Sequence, residues 1–315
     1  MAQPVVAFGD WHGNEYWAVK KLHDSFVRFP DARLVHVGDF GFWDTDIFTD
    51  QYMADAEEAD GKLSPCKPEH FQGYVWEVEK TLAEHDKILY VVLGNHEDYW
   101  EIDQTYGYWG FMSDEFRYYN SPLFIKESKG PYCTGQEPSE DLVTDEDGFI
   151  MSEFFPHIRI APRAHVWQWD GVSYASLGGA TSIDVHYRRR GYSWWEQEIP
   201  TMEEVEYLTK IVDGDVDVLF THDGPVQATA ALYGHGHRLP VDIQAYAEQS
   251  GEMVQLAVDK LSPKLNVCGH HHVRKSFVLR NGTHVEILDK EDSKVSENIL
   301  NVSDALEGIE YWLLP

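Results

Sequence analysis

Short apolar runs that each stop at a polar turn limit how this chain can fold. Val5-Val6-Ala7-Phe8 leads into Gly9-Asp10-Trp11-His12-Gly13-Asn14, and Leu34-Val35-His36-Val37 into Gly38-Asp39. Ile88-Leu89-Tyr90-Val91-Val92-Leu93 leads into Gly94-Asn95-His96-Glu97. Val216-Asp217-Val218-Leu219-Phe220 precedes Thr221-His222, and Leu265-Asn266-Val267-Cys268 precedes Gly269-His270-His271-His272. Such runs have the length and residue types of buried strands. Residues 15–29 and 68–86 carry helical spacing instead, with Trp17, Leu22, Phe26 and Phe29 as core contacts of the first. Strands alternating with helices predict an α/β architecture whose polar clusters gather along one edge of the sheets.

Elsewhere the pattern adds a strand at Val172-Ser173-Tyr174-Ala175-Ser176-Leu177 and a hairpin over residues 276–288 that turns at Asn281-Gly282. Residues 107–162 are aromatic, acidic and punctuated by Gly, Pro and Ser, and read as an irregular insert or cap over the strand ends. The whole of 1–315 is then one domain, a length that can bury a large core. Aromatic residues make up 14% of it, which excludes a disordered chain.

Composition removes several functions. No run of about 18 apolar residues occurs, so no membrane-spanning helix is expected. The first residues carry no basic segment of a secretory signal, which makes the cytoplasm the expected compartment. Cys66, Cys133 and Cys268 are odd in number and share no CxxC spacing, against both a disulfide framework and a thiolate zinc site. With 25 basic and 54 acidic residues, the net charge of −29 opposes stable nucleic-acid binding. A phosphate-bearing small molecule would need local positive charge, which bound divalent cations would supply.

The five polar clusters carry the residue types for that role. Two metal ions acting on one ester need hard oxygen and imidazole ligands, with one carboxylate able to bridge both. Asp10 and His12 are two apart, as are His270 and His272; an extended backbone would point each pair one way and leave His271 facing away. Asp39 and Asn95 each end a buried run, where a side chain is held rigidly yet reaches solvent. Glycines at 9, 13, 38, 94 and 269 allow the sharp turns this requires.

At these positions the sequence resembles the calcineurin-like metallophosphoesterase superfamily, which shows D-x-H, G-D, G-N-H-[E/D], a lone His and G-H-x-H in this order. The resemblance spans residues 10–272. It implies an αββα sandwich, two mixed β-sheets flanked by helices, with a dinuclear site at the strand ends. It also implies that one ion takes Asp10, His12, Asp39 and His272, and the other Asp39, Asn95, His222 and His270. His96 would be the catalytic histidine that is not a ligand. The implied reaction is in-line attack on phosphorus by a metal-bridging hydroxide. Mn2+ is the expected ion, with Fe, Zn or Ni also compatible with the ligand set. The substrate is a phosphoester small molecule, foremost a small or cyclic nucleotide diester. A phosphomonoester, a dinucleoside polyphosphate, or a non-catalytic metal-binding scaffold are the alternatives.

Two departures stand out. Relatives often read G-D-x-x-D, whereas this chain reads Gly38-Asp39-Phe40-Gly41-Phe42, leaving Asp44 or Asp98 to orient His96. The Arg that protein Ser/Thr phosphatases carry after that second Asp is absent as well. A second GHxH, Gly234-His235-Gly236-His237, follows a helical stretch and no strand, which favours His270 and His272 as ligands. Arg188-Arg189-Arg190 is a triple-Arg cluster in a very acidic chain. It reads either as a substrate-phosphate contact, together with Asn95 and His96, or as surface salt bridges. Trp194 and Trp195 read as packing residues.

Overall fold

The computed structural model describes residues 2–42, 73–99, 102, 143–152, 154–188, 194–233 and 241–313. In chain order the elements begin with β1 (Val5–Phe8), α1 (Glu15–Arg28), β2 (Arg33–His36), α2 (Tyr74–Glu84), β3 (Leu89–Val91) and β4 (Ile158–Ile160). Next come β5 (Ala164–Trp169), β6 (Val172–Leu177), α3 (Met202–Ile211), β7 (Val218–Thr221), α4 (Val226–Tyr233) and α5 (Val241–Leu261). The last are β8 (Leu265–Cys268), β9 (Lys275–Val278), β10 (His284–Ile287), α6 (Val295–Asn298), β11 (Ile299–Asn301) and α7 (Val302–Leu313).

Among the described residues these strands form two mixed sheets. The first runs β11-β1-β2-β3-β4, parallel except where β11 pairs antiparallel with β1. The second runs β5-β6-β7-β8-β10-β9, with antiparallel pairs only at its two edges. Alternate residues of each strand serve different layers, as the two-residue period of a strand demands. Val6, Phe8 and Leu34 face α1 and α2, where Leu22, Phe26, Val78 and Leu82 meet them. Val5, Ala7, Val35 and Val37 face inward and pack on Phe220, Val218 and Val267 of the second sheet. Leu177, Leu219 and Ile287 face α3 and α5, against Val205, Leu208, Val254 and Val258. The result is the expected αββα sandwich. Full burial of each such Val or Leu is worth about 1.5–3 kcal/mol, so the strand ends are firmly anchored.

Local signals agree with these bounds. Asn14 caps α1 by accepting from Trp17 N at 3.4 Å. Thr201 and Glu204 form a reciprocal capping box on α3. The hairpin turns at Gly282, in the left-handed region at φ 92°. The helix expected over 68–86 appears as Tyr74–Glu84, and 68–72 lie outside the described residues. One expectation is corrected. The end of the 107–162 insert is not a cap, because Ile158–Ile160 is a strand parallel to β3, and Ile150, Phe155 and Phe149 are buried in the core. Only three residues long and flanked by prolines, this strand lacks the run length that marks the others. Among the described residues no helix is long and apolar enough to cross a membrane.

Candidate metal centre

The five polar clusters leave β1, β2, β3, β7 and β8 on the same edge of the two sheets and converge there. Asp10, His12, Asp39 and His272 bring one donor atom each within 4.8 Å of one another, and Asp39, His222 and His270 do the same. Asp39 belongs to both groups. Its Oδ1 accepts from the backbone of Asn95 at 2.9 Å and His96 at 2.7 Å, and lies 3.0 Å from His222 Nε2. Its Oδ2 lies 3.4 Å from His12 Nε2, is buried, and accepts no hydrogen bond from the described residues. Asn95 Oδ1 is 3.1 Å from His222 Nε2, so the amide stands with the second group.

The backbone reaches this arrangement by strain and not by extension. His12, Asp39, His270 and His272 all have positive φ, at 47°, 51°, 64° and 51°. Among the described residues seven non-glycine positions do so, and four of them carry this centre. The expectation that extended backbone aligns Asp10 with His12, and His270 with His272, is therefore wrong: left-handed turns aim these side chains. Two glycines make the close approach possible. A Cβ on Gly38 would collide with the His222 ring, and one on Gly269 with the Asp10 carboxylate. His271 does face away, with Nε2 at 3.0 Å from Asp223 and Nδ1 at 2.9 Å from the Tyr233 hydroxyl.

The donor set fits divalent cations. The buried Asp39 carboxylate needs positive charge beside it, which a protonated His12 or a cation at the centre would supply. His12 Nε2 and His272 Nε2 lie 3.1 Å apart, a distance at which two neutral lone pairs repel unless a proton or cation lies between them. The titration pattern has the same origin. Burial opposes ionisation of Asp39, but His222, His96 and His12 outweigh it and hold the carboxyl well below the usual range. Burial likewise opposes the charge on His12, yet Asp39 and Glu291 push it up to about 11. His222 rises to about 9 against its own burial, again through Asp39. Carboxylates outweigh burial at these two rings, which is the field a metal ion requires.

His96 stands beside the cluster, its ring 5.4 Å from that of His12. The Arg188 guanidinium lies 2.8 Å from its Nε2, and Arg188 Nε pairs with Asp184 at 2.7 Å. Burial and then Arg188 hold His96 down at about 4, against Asp39. Both readings of the Arg cluster thus meet in Arg188, which is ion-paired and also adjoins the site. Arg189, Arg190, Asp44, His235 and His237 lie outside the described residues. Trp195 packs in the first core layer, and Trp194 Nε1 donates to the Tyr246 hydroxyl at 3.2 Å.

Three supporting residues escaped the sequence reading. Glu97 is buried and accepts from the backbone of Phe40, Gly41 and Phe42 at 2.8–2.9 Å, fixing the turn after Asp39. Its place directly after His96 in the third cluster was the available signal. Ser182 Oγ accepts from Asn95 Nδ2 at 3.0 Å, which turns the amide oxygen toward His222, and Ser182 N donates to Glu198 at 3.0 Å. Glu291 lies 3.0 Å from His12 Nδ1. Neither contact has a short-range sequence signal.

A model of the family described as calcineurin-like phosphoesterase matches residues 3–274, and the chain belongs to that family. It is a metal-dependent phosphoester hydrolase with a site for divalent ions. Curated proteins gave no match. Similar solved structures include a dimetal phosphatase from Danio rerio, at 12% identity over 94% of this chain and 90% of that one, TM-score 0.42. Another is the phosphopantetheinyl hydrolase PptH from Mycobacterium tuberculosis, at 12% identity, 92% of each chain and TM-score 0.40. A third is the calcineurin-like phosphoesterase YfkN from Bacillus subtilis, at 12% identity, 95% and 87% coverage and TM-score 0.39.

Proposed function

We propose that this protein is a dinuclear phosphodiesterase acting on small or cyclic nucleotides, with Mn2+ as its preferred ion. The observation that carries the dinuclear reading is Asp39, whose two carboxylate oxygens face separate ligand groups. In this reading Asp10, His12, Asp39 and His272 hold one ion. Asp39, Asn95, His222 and His270 hold the other. Bound there, the ions supply Lewis-acid activation of water and of the phosphoryl group. Asp39 is itself fixed between the two groups, because its backbone oxygen accepts from Trp11 N and His12 N at 2.9 and 2.8 Å. Asn95 is held by Ser182, leaving its oxygen for the ion. His96 stands beside the cluster to stabilise the departing oxygen, and could protonate it only once substrate draws Arg188 away and raises the ring's proton affinity. The diester preference is supported by the closing motif Gly269-His270-His271-His272.

One observation favours a second reading, a phosphomonoesterase. The Arg188 guanidinium beside His96 offers positive charge where a monoester would carry its additional negative charge. The test is the hydrolysis of bis(p-nitrophenyl) phosphate against p-nitrophenyl phosphate by the Mn2+-loaded protein, with and without chelator. A diester preference lost with chelator and restored by Mn2+ supports the first reading. A monoester preference that collapses in Arg188→Ala supports the second. No turnover of either would overturn both in favour of a non-catalytic scaffold or a narrower substrate such as a dinucleoside polyphosphate.

A further inference from the structure

We propose that Glu291 is a positioning residue of the metal centre, holding the His12 ring so that Nε2 faces Asp39 and His272. This deepens the dinuclear reading above and rests on it. Glu291 Oε2 lies 3.0 Å from His12 Nδ1, on the side of the ring opposite the cluster. His12 Nε2 lies 3.4 Å from Asp39 and 3.1 Å from His272. An imidazole whose Nδ1 hydrogen is accepted by a carboxylate keeps its lone pair on Nε2, and the carboxylate makes that nitrogen a stronger donor to a cation. Glu291 acts through His12, since it belongs to neither donor group.

The loop that carries Glu291 is built to stay still. Lys21 of α1 is buried, and its Nζ donates to Ser293 O at 2.6 Å, two residues from Glu291. A buried ammonium is costly unless satisfied, and this one is satisfied by the loop's backbone. On the other side, Asn298 Nδ2 donates to Asp289 O at 2.6 Å, while Gly9 N donates to Asn298 O at 2.9 Å. The loop is thereby tied to both α1 and the exit of β1, the two elements that flank His12. The neighbouring acids are used locally: Asp289 accepts from Lys290 N at 2.8 Å, and Asp292 pairs with Lys290 Nζ at 3.3 Å. Of these three acids Glu291 is the one that reaches the centre. It lies beyond residues 3–274, the stretch matched by the family model, so this support is supplied by the following segment.

The experiment is a calorimetric Mn2+ titration of the full chain as wild type, Glu291→Ala and Glu291→Gln, with unfolding midpoints recorded without added Mn2+. Wild type should take up two ions. Glu291→Ala should weaken one of them by about 10–100-fold and leave the other unchanged. Glu291→Gln keeps an oxygen that can accept the Nδ1 hydrogen and should recover part of that loss. Unfolding midpoints should match across the three proteins. Glu291→Ala binding both ions as wild type does would overturn the proposal. So would equal loss at both sites accompanied by a lowered midpoint, which marks a merely structural role. A wild-type protein that takes up no Mn2+ would instead overturn the metal reading itself, and Glu291's role with it.

Discussion

The two candidate ligand groups that share Asp39 are built differently. Asp39, Asn95 and His222 are 0–2% exposed, and His222 is gripped from both ring nitrogens, by Val37 O at 2.9 Å and by Asn95 and Asp39. In the other group Asp10 is buried as well, but the His272 side chain is 42% exposed and that of His12 18%; both sit in left-handed conformation, as Asp39 and His270 also do. The deep group is held mainly by the sheets, since Asn95 and His222 leave strands whose inner faces are packed on one another, while the half-buried His270, at φ 64°, enters from the loop after β8. The outer group is set by loops and by distant partners such as Glu291. Rigidity on one side and access on the other is a division suited to a centre that must hold ions yet admit substrate.

The division between the two groups rests most heavily on Asp39, which belongs to both. Asp39→Asn should release both ions and lower turnover by on the order of a thousandfold or more, since several kcal/mol of transition-state stabilisation go with them. Metal analysis showing one ion retained would mean Asp39 is not shared. His96→Ala should keep both ions and lose about 10²–10⁴-fold in turnover, most for substrates with poor leaving groups. An unchanged rate on such substrates would remove His96 from the chemistry.

A smaller effect separates the groups. Asn95→Ala and His270→Ala should each weaken the deep ion more than tenfold, whereas His272→Ala should weaken the outer one. Stepwise titrations in which all three variants lose the same ion would erase the distinction. The smallest effect concerns Glu198, which supports Ser182 from beneath the deep group. Burial pushes its carboxyl from 4.5 up to about 8, with Ser182 opposing. Between those values the folded protein keeps a proton that the unfolded chain has released, so folding stability declines as pH rises through the window. Glu198→Gln should therefore gain on wild type by a few degrees in unfolding midpoint between pH 5 and pH 8. A constant gap across that range would refute the buried-acid account.

What could be read from the sequence follows the same line between deep and outer. Val5–Phe8, Val172–Leu177 and Leu265–Cys268 appear as strands with the expected bounds, because short, mostly apolar runs bounded by polar turns have few other solutions. The residues at their ends converge because the topology leaves them no other edge. Ile158–Ile160 was missed because three residues between prolines carry too little periodicity, and only pairing with β3 makes them a strand. The aim of His12, His270 and His272 was misread because spacing cannot reveal a positive φ in a residue that usually avoids it. Glu291 and Ser182 were invisible because their contacts span 279 and 87 residues. Glu97 was in view within its motif, but its role belongs to the backbone of another loop.

The most direct test of the shared-carboxylate centre is an anomalous difference map from crystals of the Mn2+-loaded protein. Two peaks, one on each side of Asp39, with the first touching Asp10, His12 and His272 and the second touching Asn95, His222 and His270, is the expected result. A single peak, or density at His235 and His237 in place of His270 and His272, would contradict it.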